Sequence, residues 1–248
     1  PVTKRQMITK RITGQFEPST VAGEKVAAFV PAPLPPRAPA LVIEGALAEQ
    51  TRHAEQSLRR LELAGDMVPS LDWFIYAFVR KEAVVSSQIE GTQATLVDLL
   101  NFEANAEADP DLEVQEICNY LEGLNFARAQ LANPKGLPIS MRLLNETHRR
   151  LMAGARGDHK GPGEVRRSQN WIGGSRPRHA SFVPPPPQAL PGLLGAFEKY
   201  LHAHDRLPHI VRAGLLHVQF ETIHPYLDGN GRIGRLLVAL LFEHWKLL

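Results

Sequence analysis

Cysteine is almost missing. Cys118 is the single example, so no internal disulfide can form, and the usage fits a reducing compartment; a cytoplasmic location is expected. Charge of one sign is missing too. The 28 Lys and Arg stand against 26 Asp and Glu, and a net charge of +2 is too small to argue for nucleic acid as a partner. No apolar run is long enough to span a membrane: the most apolar stretch, Leu236 to Leu248, is short and broken by Glu243, His244 and Lys246. The polar N-terminus lacks the apolar segment of a signal peptide. There is no Gly-x-x-x-x-Gly-Lys-Ser/Thr stretch, which excludes a P-loop ATPase, and no His-Glu-x-x-His pattern for zinc. His202, His204, His209 and His217 then read as ordinary helix or loop residues. No internal repeat is present, which argues against a solenoid. The chain begins without Met and stops inside a helical pattern, so a fragment cut at both ends is expected.

What is present is mostly helical periodicity. Residues 1–40 show no sustained period, and the prolines from Pro31 to Pro39 block regular helix, so an extended arm is expected. A helical region follows over 41–110. Leu41 to about Leu63 is rich in good helix formers. Ser70 reads as the N-cap of a helix running to about Glu90, whose Trp73, Phe74, Tyr76 and Phe78 are expected to pack in the core. A short helix is expected over Leu96 to Phe102. The stretch 111–248 reads as one core. Asp109-Pro110 predicts a helix start, and Val114, Ile117, Leu121 and Leu124 follow at helical spacing. Cys118 falls within that pattern and is expected to pack inward. Ser140 caps a further helix to about Met152. Between about 165 and 185, the alternating pieces Gln169 to Ile172 and Ala180 to Val183 flank a glycine-rich turn and predict a β-hairpin. Helices are expected over Leu190 to Ala203 and Ile210 to Ile223, the second apolar on nearly every side and so central. The fold class is an all-α bundle with one small hairpin.

The stretch from His224 to Arg235 carries the chemistry. Gly229 and Gly231 let the backbone approach a ligand closely. A Gly-Asn-Gly turn opening a helix points successive N–H groups outward, and the helix's positive end attracts phosphate. Arg232 and Arg235 share a helix face and can grip neighbouring phosphates. Asp228, a hard oxygen ligand beside phosphate, suits Mg²⁺. His224, with a pKa near neutrality, suits proton removal from a hydroxyl.

This run resembles the signature of the Fic family, His-Pro-Phe-x-Asp/Glu-Gly-Asn-Gly-Arg-x-x-Arg, with Tyr226 in the aromatic position. The ring can still pack inward, but its hydroxyl would need a partner. The resemblance implies a helical Fic fold and a protein adenylyltransferase, which moves AMP from ATP to a hydroxyl of another protein or of itself. Carried over by position, His224 is the base. The Gly229–Gly231 turn holds phosphate, with Asn230 helping at the α-phosphate. Asp228 holds Mg²⁺, and Arg232 and Arg235 neutralise the outer phosphates. Ser86-x-x-x-Glu90-Gly91 resembles the family's inhibitory motif, in which Glu90 would pair with Arg235; whether within one molecule or across an oligomer stays open. The predicted hairpin resembles the family's target-positioning flap, with Trp171, Ile172, Gly173, Phe182 and Val183 on it, although a lid over adenine would also account for it. Arg166 and Arg167 beside it are expected to face water. A nucleotide-binding regulatory module, or an enzyme that removes AMP, is the rival reading.

Overall fold

A computed structural model describes residues 11–37, 39–105 and 109–247 and, for residues 66, 71, 72 and 74, the backbone only. The element order is β1 (Gly14–Val21), β2 (Glu24–Pro31), α1 (Gly45–Met67), α2 (Leu71–Ile89), α3 (Leu96–Ala104), α4 (Leu112–Ala132), α5 (Met141–Leu151), α6 (Leu190–Leu201), α7 (His209–Ile223) and α8 (Asn230–His244).

Side-chain caps set the starts of α2, α3, α4 and α5. Ser70 accepts from Trp73 N–H at 3.3 Å, Ser140 from Leu143 N–H at 3.2 Å, and Thr95 forms a reciprocal capping box with Asp98. The start of α4 falls two residues beyond the expected Asp109-Pro110. There Asp111 takes both the Glu113 and Val114 N–H groups, at 3.0 and 2.8 Å. α4 packs on α5, and α7 on α8. The seam between them is filled by Ile117, Leu143, Leu216, Phe220, Leu236 and Leu240, all fully buried. Each such side chain stabilises by about 1.5–3 kcal/mol relative to exposure. α2 lies across α4 and reaches α8, which brings its C-terminal end to the α7–α8 corner. Cys118 is half-buried against the core, and burial raises its thiol pKa. Among the described residues, no helix is long and apolar enough to cross a membrane.

Four expectations need correction. The extended arm is, over Gly14–Pro31, an antiparallel hairpin with Val21 opposite Glu24. Its turn uses left-handed backbone at Ala22 and Gly23 (φ 47° and 80°). Pro18 hides the strand signal, yet it is tolerated because β1 is an edge that need not donate there. Residues 1–10 and 38 of the expected arm lie outside the described residues. The predicted hairpin at 165–185 is a single antiparallel bridge, Ile172 to Phe182. Gly173 and Gly174 turn left-handed, and Pro184 onward has no N–H to continue a ladder. The helix α7 is one-sided rather than central. Ala213, Leu216, Phe220 and Ile223 are buried, while Val218 is 63% exposed. Finally, Trp73, Tyr76 and Phe78 are exposed, because α2 turns Ala83, Val84, Ser86 and Ser87 inward instead; the Phe74 side chain lies outside the described residues.

Candidate active site

The site is a corner between α7 and α8. His224 ends α7 in the left-handed conformation (φ 52°, ψ 63°), with its N–H still bonded to Phe220 O at 2.9 Å. Its Nδ1 lies 3.3 Å from Glu221 O. A carbonyl can only accept, so Nδ1 carries the proton and Nε2 keeps its lone pair. The His224 pKa lies at about 4, against the near-neutral value expected: burial is the main cause, the Glu221 carbonyl opposes it, and the Arg166 charge adds to the lowering. The ring is therefore a neutral base at pH 7.

Arg166 holds this corner. It is buried, not solvated as expected, whereas Arg167 is exposed. Its Nε donates to His224 O at 2.8 Å, Nη2 to Pro185 O at 2.7 Å, Nη1 to Ser168 O at 3.1 Å, and its main-chain N–H to Pro225 O at 2.9 Å. Burial lowers its pKa to about 10, so it stays charged at neutral pH. One side chain thus ties the His224 turn to both ends of the flap.

The loop beyond His224 closes on itself. Asn230 is buried; its Oδ1 accepts from Tyr226 N–H at 2.9 Å and its Nδ2 donates to Tyr226 O at 2.8 Å. The side chain expected at a phosphate thus staples the loop, and only its main-chain N–H faces the nest at the start of α8. The Tyr226 hydroxyl finds its partner in Asn145 Oδ1, at 2.7 Å. Its ring stacks on His148 with centroids 3.9 Å apart and planes 6° apart. His148 accepts from Gly163 N–H at 2.8 Å through Nδ1, so Nε2–H donates to Asp228 O at 3.0 Å. Burial pushes the His148 pKa to about 4, which matches this neutral tautomer. Gly229 caps α8 at φ 73°, where a Cβ would lie 2.9 Å from Met152 Sδ. Sequence reasoning missed Asn145, His148 and Gly163. The only signal was that a buried tyrosine hydroxyl requires an acceptor.

The start of α8 is prepared for an anion. The helix has no side-chain cap, so first-turn N–H groups remain available. Arg232 is 4% exposed; among the described residues, its Nη2 hydrogen-bonds Met152 Sδ at 3.5 Å, and its Nε and Nη1 are buried with no hydrogen-bond partner. A buried guanidinium left this way is costly, and a phosphate oxygen would satisfy it. Burial pushes the Asp228 carboxyl up, but the Lys160 ammonium at 2.7 Å and the Gly229 N–H outweigh it, and the net shift is downward. Among the described residues, no three His, Cys, Asp or Glu side chains gather as a metal site.

Ser86, Glu90 and Arg235 meet. Arg235 Nη2 lies 2.7 Å from Glu90 Oε1 and 2.9 Å from Ser86 O, and its Nε donates to Ser86 Oγ at 2.8 Å. Glu90 is the C-cap of α2, and Gly91 leaves the helix at φ 99°. The Glu90 carboxylate lies over Gly231, where any Cβ would collide with Oε1. Beyond Gly91 the buried Thr92 donates to Glu116 Oε2 at 2.6 Å, and Arg156 pairs with the same carboxylate, which fixes where α2 ends.

On the flap, Ile172 N–H donates to Phe182 O at 2.8 Å, and the Ser181 N–H returns to Ile172 O at 2.9 Å. Trp171 and Phe182 are half-buried, Val183 is buried, and Ile172 and Gly173 are exposed. The flap reaches the loop where Asn170 Nδ2 lies 3.5 Å from Tyr226 O.

A left-handed histidine, a glycine nest and paired arginines on α8 define a Fic-type site, and the family comparison agrees. The profile described as Fic/DOC family N-terminal matches residues 48–129, and that described as Fic/DOC family matches residues 138–242. The chain belongs to the Fic/DOC family. The protein adenylyltransferase Fic of Culex quinquefasciatus is 36% identical over 134 residues, which cover 52% of this chain and 24% of that protein. Its namesake in Aedes aegypti is 30% identical over 223 residues, covering 84% of this chain and 42% of that protein. The chain therefore spans less than half the length of these relatives. A Fic family protein from Desulfovibrio desulfuricans (TM-score 0.63, 20% identity) covers 82% of this chain and 59% of its own. A Fic domain containing signaling protein from Bacteroides thetaiotaomicron (TM-score 0.64, 20% identity) covers 79% and 72%. At that identity these two show a shared fold.

Proposed function

We propose that this chain transfers AMP from ATP to a hydroxyl side chain of a target protein, and that Glu90 restrains it. The observation that carries the reading is the contrast between two arginines on one helix face. Arg232 is buried with unsatisfied N–H groups beside the nest, and Arg235 is already taken by Glu90 and Ser86. One guanidinium awaits an anion; the other cannot grip a second one bidentately until Glu90 leaves.

His224 Nε2 takes the proton of the target hydroxyl. The oxygen then bonds to the α-phosphorus as the bond to the bridging oxygen breaks, and pyrophosphate leaves with that electron pair. The N–H groups of Gly229, Asn230 and Gly231 and the Arg232 guanidinium stabilise the charge that develops. Mg²⁺ fits the residues present: it commonly takes one carboxylate plus phosphate oxygens, and Asp228 is a carboxylate held ionised beside the nest. When bound there it would neutralise phosphate charge, with Lys160 giving up its hold on Asp228. The rival reading of the same site is removal of AMP, for which the Glu90 carboxylate over Gly231 would orient a water.

Incubation with Mg²⁺ and α-labelled ATP tests the reading. Label on protein should rise in Glu90→Gly and vanish in Glu90→Gly/His224→Ala. Absence of label in Glu90→Gly, with ATP bound, would overturn transfer; label equal to wild type would overturn the restraint.

A further inference from the structure

Glu90 sits at the water-facing end of α2, and its pair with Arg235 leaves 38% of its side chain open. An ion pair so open to solvent holds weakly, and the last turn of a helix frays. The Ser86 contacts fix Arg235, one turn back along α2; they do not fix Glu90. The hold on Glu90 comes from the residues just beyond it.

α2 ends in tight turns. The Glu90 N–H reaches Ser87 O and the Gly91 N–H reaches Gln88 O, both at 3.0 Å, and the Thr92 N–H returns to Ser87 O at 3.3 Å. Thr92 is buried, and so is Glu116 on α4. The Glu116 carboxylate accepts the Thr92 hydroxyl at 2.6 Å, Arg156 Nε at 2.6 Å and Arg156 Nη2 at 3.0 Å. Burial pushes the Glu116 carboxyl up, but Arg156 and Thr92 outweigh it, and the net shift is downward. A buried carboxylate held by charge-assisted bonds is a rigid anchor, and it is costly to leave unpaired. One turn earlier on α4, Glu113 takes the Gln93 N–H at 2.8 Å. One turn later, Asn119 donates to Leu151 O at 3.3 Å and to Ala153 O at 2.7 Å, which secures the segment that carries Arg156. Glu113, Glu116 and Asn119 thus form a polar stripe along α4, and the proposed transfer uses none of them.

We propose that Thr92, Glu116 and Arg156 form the latch that holds Glu90 over Gly231, with Glu116 as a positioning residue, so that loosening the latch frees Arg235 with no change at Glu90 itself. The inference rests on the reading that Glu90 restrains transfer.

The test uses the full chain, with amide exchange read residue by residue. Thr92→Val removes the hydroxyl and keeps the shape, and Thr92→Ser keeps the hydroxyl. Glu116→Gln keeps the shape and loses the charge that Arg156 pairs with. Exchange at Glu90 and Gly91 should quicken about fivefold or more in Thr92→Val and Glu116→Gln, and stay near wild type in Thr92→Ser. Label from α-labelled ATP should rise severalfold in the first two variants and not in the third. Adding Thr92→Val to Glu90→Gly should raise label no further. Exchange at Leu216 and Phe220 should be unchanged, which shows the core intact. Wild-type exchange at Glu90 and Gly91 in Thr92→Val would overturn the latch, as would a further rise of label on top of Glu90→Gly. Quickened exchange with wild-type label would also overturn it where Glu90→Gly gains label. If Glu90→Gly gains none, the restraint reading falls by itself, and exchange alone decides whether the cluster holds Glu90.

Discussion

The loop from His224 to Arg235 and the flap from Trp171 to Val183 meet at Asn170 and Tyr226, yet they are held by opposite means. The loop is fixed by its own residues and by neighbours that converge on it: Asn230 staples Tyr226, Asn145 takes its hydroxyl, His148 lies under its ring, and Arg166 holds its His224 end. The flap has one bridge of its own and borrows the rest from β2 and Glu24, far away in sequence. A buried, self-satisfied loop would hold reacting groups still, as the proposed transfer needs. An exposed strap with one bridge depends on what holds it from outside.

Substitutions and pH can break this contrast. The largest effect is expected at His224. In the Glu90→Gly background, His224→Ala should cost transfer about 100- to 10,000-fold with ATP affinity retained, measured by labelling rate and by titration. Next comes acid. The His148 pKa is lowered from 6.5 to about 4 in the folded chain, so between those values the unfolded chain holds a proton that the folded chain lacks. Its contribution is complete above pH 6.5 and is lost as pH falls toward 4, on the order of 3 kcal/mol. His224 acts in the same direction. The urea midpoint should therefore fall between pH 7 and pH 4.5, and His148→Gln should flatten that dependence; no flattening would count against a buried neutral ring. Glycines sharpen the contrast. Gly229→Ala should cost about 2–3 kcal/mol, because left-handed strain adds to a collision with Met152 and His148. Gly23→Ala, left-handed but with open space around it, should cost about 1 kcal/mol. Equal losses in a urea titration would contradict the packing described at Gly229. The smallest effect is Tyr226→Phe, which leaves Asn145 Oδ1 unpaired; it should cost about 1 kcal/mol with a labelling rate close to that of Glu90→Gly alone.

Legibility in sequence followed the range of the interactions. Ser70 and Ser140 were readable because a cap acts within three residues. Helical spacing located α4, and apolar content located α7. That content overstated how centrally α7 sits, because it does not say which face a neighbour will cover, and Val218 remains exposed. The N-terminal hairpin was hidden because Pro18 and the prolines from Pro31 onward read as breakers, while what licenses Pro18 is its place on an edge. Arg166 looked like a surface arginine beside Arg167. Only the convergence of His224, Pro185 and Ser168 carbonyls shows why one of the two is buried.

The sequence by itself determined the helical class, the Gly-Asn-Gly turn that opens a helix and the family signature around it, since each depends on residue types at short spacing. Tertiary structure alone decided the lowered His224 pKa, the burial of Arg232 and the closing of one flap edge by β2, and it brings together Glu90 and Arg235, the pair that the resemblance implied. The physical reason is the same for all four. Desolvation and ion pairing depend on which distant segments share a site, and the packing of α2, α5 and the hairpin around the α7–α8 corner sets that.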